Sequence, residues 1–238
     1  LDIGQGDATL LEAGGTRVLV DTGPPGPEVV RELRNAGAER LDLLVLTHPQ
    51  LDHVGAAPGL LSAMPVGMVL DGLDGDRSAL SRSIAAAAEG SRSVRAAAGQ
   101  TLRTGPVLLR VLWPKAGDPA RGTDPNDRAI VLLAEAYGRS ALLTADAETN
   151  VLAPLSPPPV DVLKVSHHGS ADTGLPALLG AIRPAAALIE VGEGNSYGHP
   201  TRSTTAALAA AGVRTWRTDE DGTVALDLAS GGQITRVR

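Results

Sequence analysis

The chain has 238 residues, a length that accommodates one large or two modest domains with a substantial buried core. Hydrophobic residues make up 43% of the sequence, and 28 glycines and 17 prolines are typical of a compact, turn-rich globular protein rather than a disordered one. The net charge of −6 argues against a broad basic face for nucleic acid, and the absence of cysteine excludes disulfides and thiolate metal ligands.

The first half of the chain predicts strands and helices in alternation. Apolar runs bounded by glycine indicate strands, and apolar stripes that end at glycine indicate helices. The predicted elements are a hairpin (ATLLEAG, RVLVDTG), a helix (PPGPEVVRELRNAGA), a buried strand (LDLLVLTHP), a short helix (GAAPGLLSAM), a strand (VGMVLDG) and a helix (SALSRSIAAAAEG). We interpret the opening stretch, LDIGQGDATLLEAGG, as the interior of a strand, and therefore expect a domain cut from a longer protein.

The second half begins with strands and then again mixes strands with helices. Its predicted elements are the strands of TLRTGPVLLRVLWP and AIVLLAEAYGRSALLTAD, a proline-rich joint (APLSPPPV), a strand (DVLKVS), a helix (DTGLPALLGAIRP), a strand (AAALIEVG), a helix (TRSTTAALAAAGV) and two strands (RTWRTDE, TVALDLAS). This order predicts an α/β protein, an αββα sandwich of two mixed sheets with helices outside.

The five histidines lie at or just past the ends of apolar strand-like runs. They are His48, His53, His167, His168 and His199. A single histidine is most often a satisfied or exposed imidazole. Five of them in loops flanked by glycine, serine or proline indicate a site, because the loops at one edge of a sheet are where sites are built.

Three carboxylates repeat this pattern: Asp21, Asp52 and Asp146. A charged group directly after a buried strand needs a partner, a cap or a metal ion. Asp21, in the sequence DTG, equally fits an aspartate-initiated turn. For Asp146, together with the histidines, we favour a metal ion.

The stretch HPQLDH places His48, Asp52 and His53 at spacings i, i+4 and i+5, which we interpret as a loop rather than a helix. Ligands in this arrangement can turn toward two neighbouring ions. Two bridged ions can generate a nucleophile from water and stabilise charge on both the attacking and the leaving oxygen. Imidazole and carboxylate ligands without thiolate suit Zn²⁺ or Mn²⁺.

These motifs resemble the metallo-β-lactamase superfamily and, more narrowly, the soluble metallo-β-lactamase-like domain of the ComEC family of competence proteins. The resemblance extends from residue 1 to about residue 224. It depends on six motifs in order: LDIGQGDATLL, VLVDTG, LDLLVLTHP with DHVGA, LLTADAE, LKVSHHGS and NSYGHP.

The resemblance implies one metallo-β-lactamase-like domain over residues 1–238, excised from a larger membrane protein whose channel forms part of the same polypeptide. It implies a metal-dependent hydrolase, a nuclease that degrades DNA during DNA uptake, with one or two Zn²⁺ or Mn²⁺ ions. It also implies that the domain lies on the extracytoplasmic side of the plasma membrane. The oligomeric state is not predicted by the sequence.

The resemblance also implies roles for individual residues. His48 belongs to a first ion, Asp52 and His53 to a second, and Asp146 bridges them. His167 or His168, with His199, completes the coordination or serves as an acid. The residues expected to be catalytic are Asp52, Asp146, His168 and His199. Asp7, Asp21 and Gln50 are expected to be supporting residues or weak ligands, and Lys164 and Ser170 to face a substrate phosphate.

Three departures from the family pattern bear on the ions, and one of them is Ala145 in LLTADAE, in place of the glycine of the family's LLTGD. Gln50 stands where the superfamily has histidine and the competence family has aspartate, and it offers an oxygen without charge. The family's NNxS stretch is replaced here by Asn126, Asp127, Arg128 and Ala129. Two alternatives therefore stay open. One is a hydrolase of RNA, a small phosphodiester or a thioester. The other is a non-catalytic domain that binds DNA or a partner and has an incomplete metal site.

Overall fold

The computed structural model describes residues 1–73, 75–117, 124–228 and 233–237. Its first sheet has five strands in sequential order; the first two pair antiparallel and the others parallel. The strands are β1 (Thr9–Ala13), β2 (Thr16–Val20), β3 (Leu41–Leu46), β4 (Val66–Asp71) and β5 (Arg92–Arg95).

The second sheet has seven strands and is also mixed. Their spatial order is β12-β11-β10-β9-β8-β7-β6, with parallel pairing from β12 to β9 and antiparallel pairing from β9 to β6. The strands are β6 (Thr101–Thr104), β7 (Val107–Trp113), β8 (Val131–Ala136), β9 (Arg139–Leu143), β10 (Val162–Lys164), β11 (Ala186–Ile189) and β12 (Arg214–Arg217). A separate hairpin comprises β13 (Thr223–Asp227) and β14 (Gln233–Val237).

The helices are short. They are α1 (Glu28–Asn35), α2 (Leu51–Val54), α3 (Ala57–Ala63), α4 (Ala79–Ala87), α5 (Thr149–Leu155), α6 (Leu175–Ile182), α7 (Arg202–Ala210) and α8 (Thr218–Asp221). Within the described ranges, no helix has the length and apolar character needed to cross a bilayer.

Strand β3 shows how the layers are held together. Leu43 and Val45 pack in the core between the two sheets, whereas Leu44 and Leu46 pack in the core under α1, α3 and α4. Because successive side chains of a strand point to opposite faces, a continuous apolar run suits a strand buried on both sides. A third core lies between the second sheet and α5, α6 and α7. The predicted αββα sandwich is therefore confirmed.

Some local predictions were wrong. Residues 1–8 precede β1, so the chain does not open inside a strand. The stretch predicted as a loop after His48 contains the single helical turn α2, which includes Asp52 and His53. Part of the proline-rich joint belongs to α5, because Pro154 stands near the end of that helix. Strand β5 was not predicted, because its sequence, RSVR, is polar and mostly exposed at a sheet edge.

Candidate metal centre

The ends of parallel strands from both sheets meet at one edge of the sandwich. His48 follows β3, and α2 then presents Asp52 and His53. Asp146 follows β9, and His168 follows β10. The His48 and His53 rings lie 4.2 Å apart, and the His53 and His168 rings 5.3 Å apart, measured between centroids. The tertiary structure thus brings these sequence-predicted residues together.

His53 lies between two buried carboxylates. Its Nε2 is 3.1 Å from Asp146 Oδ1, and its Nδ1 is 2.8 Å from Asp21 Oδ2. Asp21 also accepts hydrogen bonds from the backbone N–H (2.8 Å) and hydroxyl (2.6 Å) of Thr47. A carboxylate behind one ring nitrogen orients the other nitrogen toward a metal ion. Asp21 therefore supports His53 from behind.

His168 is held in a similar way from the second sheet. Its Nδ1 is 2.8 Å from the carbonyl oxygen of Glu190 and 3.1 Å from Asp7 Oδ1. Its Nε2 faces Asp52 Oδ2 at 3.4 Å and Asp146 Oδ1 at 3.8 Å. His168 is buried, and its ring can offer one nitrogen to the cluster.

His167 has a different environment from its neighbour. Its side chain is 30% exposed, its Nδ1 lies 3.0 Å from Glu148 Oε1, and its Nε2 lies 3.7 Å from Asp146 Oδ2. Both histidines adopt left-handed backbone conformations, with φ of 48° and 51°. The two rings lie 6.2 Å apart between centroids, with 69° between their planes. Glu148 was missed by the sequence analysis, although it follows Asp146 by two residues.

His48 is completely buried. Its Nδ1 is 2.9 Å from the hydroxyl of Thr47, and its Nε2 is 4.0 Å from Asp146 Oδ2. Burial and the adjacent His53 lower the pKa of His48 to about 3, although nearby carboxylates oppose this shift. The ring is therefore neutral, as a metal ligand must be.

His199 lies at the rim. Its ring is 5.7 Å from that of His167, edge to face, and it is partly exposed. Its backbone N–H donates to Asn195 Oδ1 at 3.1 Å, and Asn195 Nδ2 donates back to its carbonyl oxygen at 2.7 Å. His199 therefore borders the cluster beside His167.

The buried polar atoms of this edge test whether a cation fits. His48 Nε2, His53 Nε2, His168 Nε2 and both oxygens of Asp146 are buried and make no hydrogen bond. Buried polar atoms that make no hydrogen bond are costly and call for a partner. Ligand atoms of Asp52, His53 and His168 lie within 4.8 Å of one another, as do those of Asp7, Asp146 and His168. This set of imidazole and carboxylate groups fits a divalent ion such as Zn²⁺ or Mn²⁺.

The electrostatics agree with this fit. Burial opposes the ionisation of Asp146, but His53, His168 and Lys164 lower its pKa well below the ordinary value. Burial disfavours a charged His168, but Asp7 and Asp52 raise its pKa to about 10. Without a cation, the carboxylates therefore hold protons on His53 and His168, whereas His48 stays neutral. A divalent ion would replace those protons, because metal ligation requires neutral imidazole.

The two residues predicted to face a phosphate are already bonded to other groups. Lys164 is buried, pairs with Asp7 Oδ2 and donates to the carbonyl oxygen of Ala145 at 3.2 Å. The hydroxyl of Ser170 donates to Glu148 Oε1. A phosphate contact from either residue stays a prediction. The contacts observed here favour a supporting role beneath the cluster.

Gln50 makes an interaction of its own. Its Nε2 donates to Oδ1 of Asn126, which starts the 3₁₀ turn Asn126–Arg128 before β8. The amide of Gln50, two residues after His48, is thus paired with another neutral amide. Amide oxygens carry no charge, so they bind a cation less strongly than carboxylates.

The chain is similar to proteins of the metallo-β-lactamase superfamily and to competence proteins. A profile described as the metallo-beta-lactamase superfamily matches residues 1–82. The chain is 32% identical over 255 residues to ComE operon protein 3 of Bacillus subtilis, an alignment that covers 94% of this chain and 32% of that protein. It is 29% identical over 246 residues to competence protein ComA of Neisseria gonorrhoeae, covering 97% of this chain and 32% of ComA. The chain thus spans about a third of the length of these curated relatives.

A shorter similarity concerns a ribonuclease Z of Bradyrhizobium sp., 47% identical over 57 residues, which covers 23% of this chain and 18% of that enzyme. Among solved structures, the metallo-beta-lactamase fold protein YhfI of Bacillus subtilis superimposes with a TM-score of 0.60 at 15% identity. This superposition covers 90% of this chain and 88% of YhfI. Zn²⁺-bound PqqB of Methylobacterium extorquens superimposes with a TM-score of 0.60 at 12% identity. This superposition covers 90% of this chain and 85% of PqqB. At such identities the likeness concerns the fold alone.

Proposed function

The chain belongs to the metallo-β-lactamase superfamily as a domain homologous to competence proteins, and we propose that it is a metal-dependent phosphodiesterase that degrades DNA during DNA uptake. One observation carries the proposal. Three imidazole nitrogens and both oxygens of a carboxylate converge, buried and without hydrogen-bond partners, where strands of both sheets end. Such a cluster suits a divalent cation and little else.

Asp52, His53, Asp146 and His168 are the residues that we propose hold the ion. When bound, a divalent ion supplies Lewis-acid stabilisation of a phosphodiester and lowers the pKa of water. Asp21 orients His53, and the Glu190 carbonyl group orients His168. The net charge of the chain is −6, so the cation would also provide positive charge for a phosphodiester.

We assign proton donation to the leaving oxygen to His167. Its Nδ1 lies 3.0 Å from Glu148 Oε1, which fixes the ring, and its Nε2 points to the cluster from the exposed side. Hydrogen bonding to Glu148 raises the pKa of His167, although burial opposes the shift. A protonated, partly exposed imidazole beside the bound substrate is suited to general acid catalysis.

The wider biological setting belongs to the same proposal. The curated relatives are about three times as long as this chain and carry competence names. We therefore propose that the domain is part of a longer membrane protein with a DNA channel, and that it acts on the extracytoplasmic side.

RNA is a second candidate substrate, because a 57-residue stretch is 47% identical to a ribonuclease Z. RNA and DNA present the same phosphodiester to a metal centre, so the substrate test compares them directly.

The proposal is tested with purified chain, loaded with Mn²⁺, Zn²⁺ or Mg²⁺, and end-labelled single-stranded DNA, double-stranded DNA and RNA. We expect metal-dependent cleavage of DNA, lost in His53→Ala and retained in Glu39→Gln, which neutralises an exposed carboxylate. Cleavage of RNA alone would assign the second candidate. A folded, metal-loaded chain that cleaves none of the three would support a non-catalytic, binding domain.

We further propose that the centre holds one ion. Since Gln50 pairs with Asn126 through a neutral amide, it brings no charge to the position beside His48, whose Nε2 lies 4.0 Å from Asp146 Oδ2. We expect about one ion per wild-type chain and about two in Gln50→Asp, because a carboxylate supplies the missing charge. Elemental analysis after equilibrium dialysis measures this ratio. Gln50→Leu, which removes the amide without adding charge, should stay at one ion; two ions in the wild-type chain would contradict the proposal.

A further inference from the structure

Tyr197 is an exposed aromatic residue in a chain that has few of them. Aromatic residues make up 2% of the sequence, and phenylalanine is absent. Even so, Tyr197 is 69% exposed. An exposed ring in such a sequence needs a reason, because burial of aromatic rings contributes strongly to core stability.

The loop that carries Tyr197 is fixed on both sides. At its start, the backbone N–H of Gly192 donates to Gln5 Oε1 at 3.0 Å, and Asn195 bonds to both Gly192 and His199. At its end, the N–H of Thr201 donates to the carbonyl oxygen of Gly169 at 2.9 Å. A ring presented by an ordered loop loses little conformational freedom when it binds a ligand.

A series of rings connects Tyr197 to the candidate metal centre. Tyr197 stacks on His199 with 6.0 Å between ring centroids and 29° between planes. His199 lies 5.7 Å from His167, and His167 Nε2 lies 3.7 Å from Asp146 Oδ2. One face of Tyr197 is thus supported by His199 at the rim of the centre, and the ring remains largely exposed.

The negative charge around the centre does not favour electrostatic binding of a nucleic acid. The cluster is rich in carboxylates, and Lys164 below it is buried and paired with Asp7. A planar base can bind an exposed aromatic ring by stacking, which requires no positive charge. In duplex DNA the bases are already stacked on one another, so only an unpaired base is free to do this.

We propose that Tyr197 is a stacking platform for an unpaired nucleobase next to the phosphodiester at the centre, and thereby selects single-stranded substrate. The inference rests on the proposed phosphodiesterase function. Tyr197 touches the base rather than the reacting atoms, so it determines specificity and is not a catalytic residue.

Binding to two fluorescein-labelled oligomers tests the proposal. One is single-stranded oligodeoxythymidine, and the other has the same length and phosphate count but carries abasic residues. We expect Tyr197→Ala to weaken binding of the metal-loaded chain to the first oligomer by about tenfold and to the second by less than about twofold. Tyr197→Phe should restore wild-type affinity, because the phenyl ring also stacks. Fluorescence anisotropy measures both affinities.

The matched control is Tyr137→Ala. Tyr137 is 68% exposed but lies at the turn before β9, at the opposite end of that strand from Asp146. The Tyr137→Ala substitution should leave the affinities for both oligomers unchanged. An equal loss on both oligomers in Tyr197→Ala, or no loss on either, would overturn the stacking role. Cleavage of the oligodeoxythymidine by wild-type chain is measured in parallel: its absence would count against the phosphodiesterase, whereas the binding comparison would still decide on stacking.

Discussion

Replacing Asp146 with asparagine is expected to weaken metal binding strongly and, with it, hydrolysis. Both carboxylate oxygens are buried without a hydrogen bond and lie 3.1 to 4.0 Å from ring nitrogens of four histidines. Neutralising this group removes the charge at the middle of the ligand set. We expect affinity for Mn²⁺ or Zn²⁺ to fall by at least about 100-fold, because the loss of a group that only orients a ligand already costs up to about that much.

Isothermal titration calorimetry measures the affinity, and cleavage of end-labelled DNA measures the activity. Glu39→Gln makes the same chemical change at an exposed position and should bind metal as the wild-type chain does. Circular dichroism shows whether the Asp146→Asn chain is folded. Wild-type metal affinity in a folded Asp146→Asn chain would contradict the centre as described.

The largest expected effect on stability comes from Lys164→Met. Lys164 is 2% exposed, and its ammonium group pairs with Asp7 and donates to the carbonyl oxygen of Ala145. Methionine has a similar shape but no charge, so the buried Asp7 carboxylate would lose its main partner. Removing one member of a buried ion pair costs about 3–5 kcal/mol, and we expect the free energy of unfolding to fall by that amount.

Urea denaturation of the metal-free chain measures this change. Lys115→Met removes an exposed lysine and should alter the free energy of unfolding by less than about 0.5 kcal/mol. Adding Asp7→Asn to Lys164→Met should recover part of the loss, because the uncompensated carboxylate is then absent. A Lys164→Met chain as stable as the wild type would show that Asp7 does not depend on this lysine.

The sequence by itself determined the sandwich and most of the proposed ligand set. Apolar runs such as residues 41–46 specify strands buried on both faces, because the pattern depends on neighbours along the chain. Histidines and aspartates directly after those runs, including His48 and Asp146, had to lie at strand ends. Parallel strands bring such ends to one edge, and the ordered motifs indicated the superfamily.

Only the tertiary structure decided how those residues are held. Glu148 fixes His167 across 19 positions, and the Glu190 carbonyl group fixes His168 across 22. Gln50 pairs with Asn126 across 76 positions, and Lys164 pairs with Asp7 from the other half of the chain. These contacts correspond to no periodic pattern in the local sequence, because each depends on how the two sheets pack and on the direction of a side chain at a turn. The sequence therefore specifies which residues reach the edge, and the packing of the two sheets decides which of them can bind an ion.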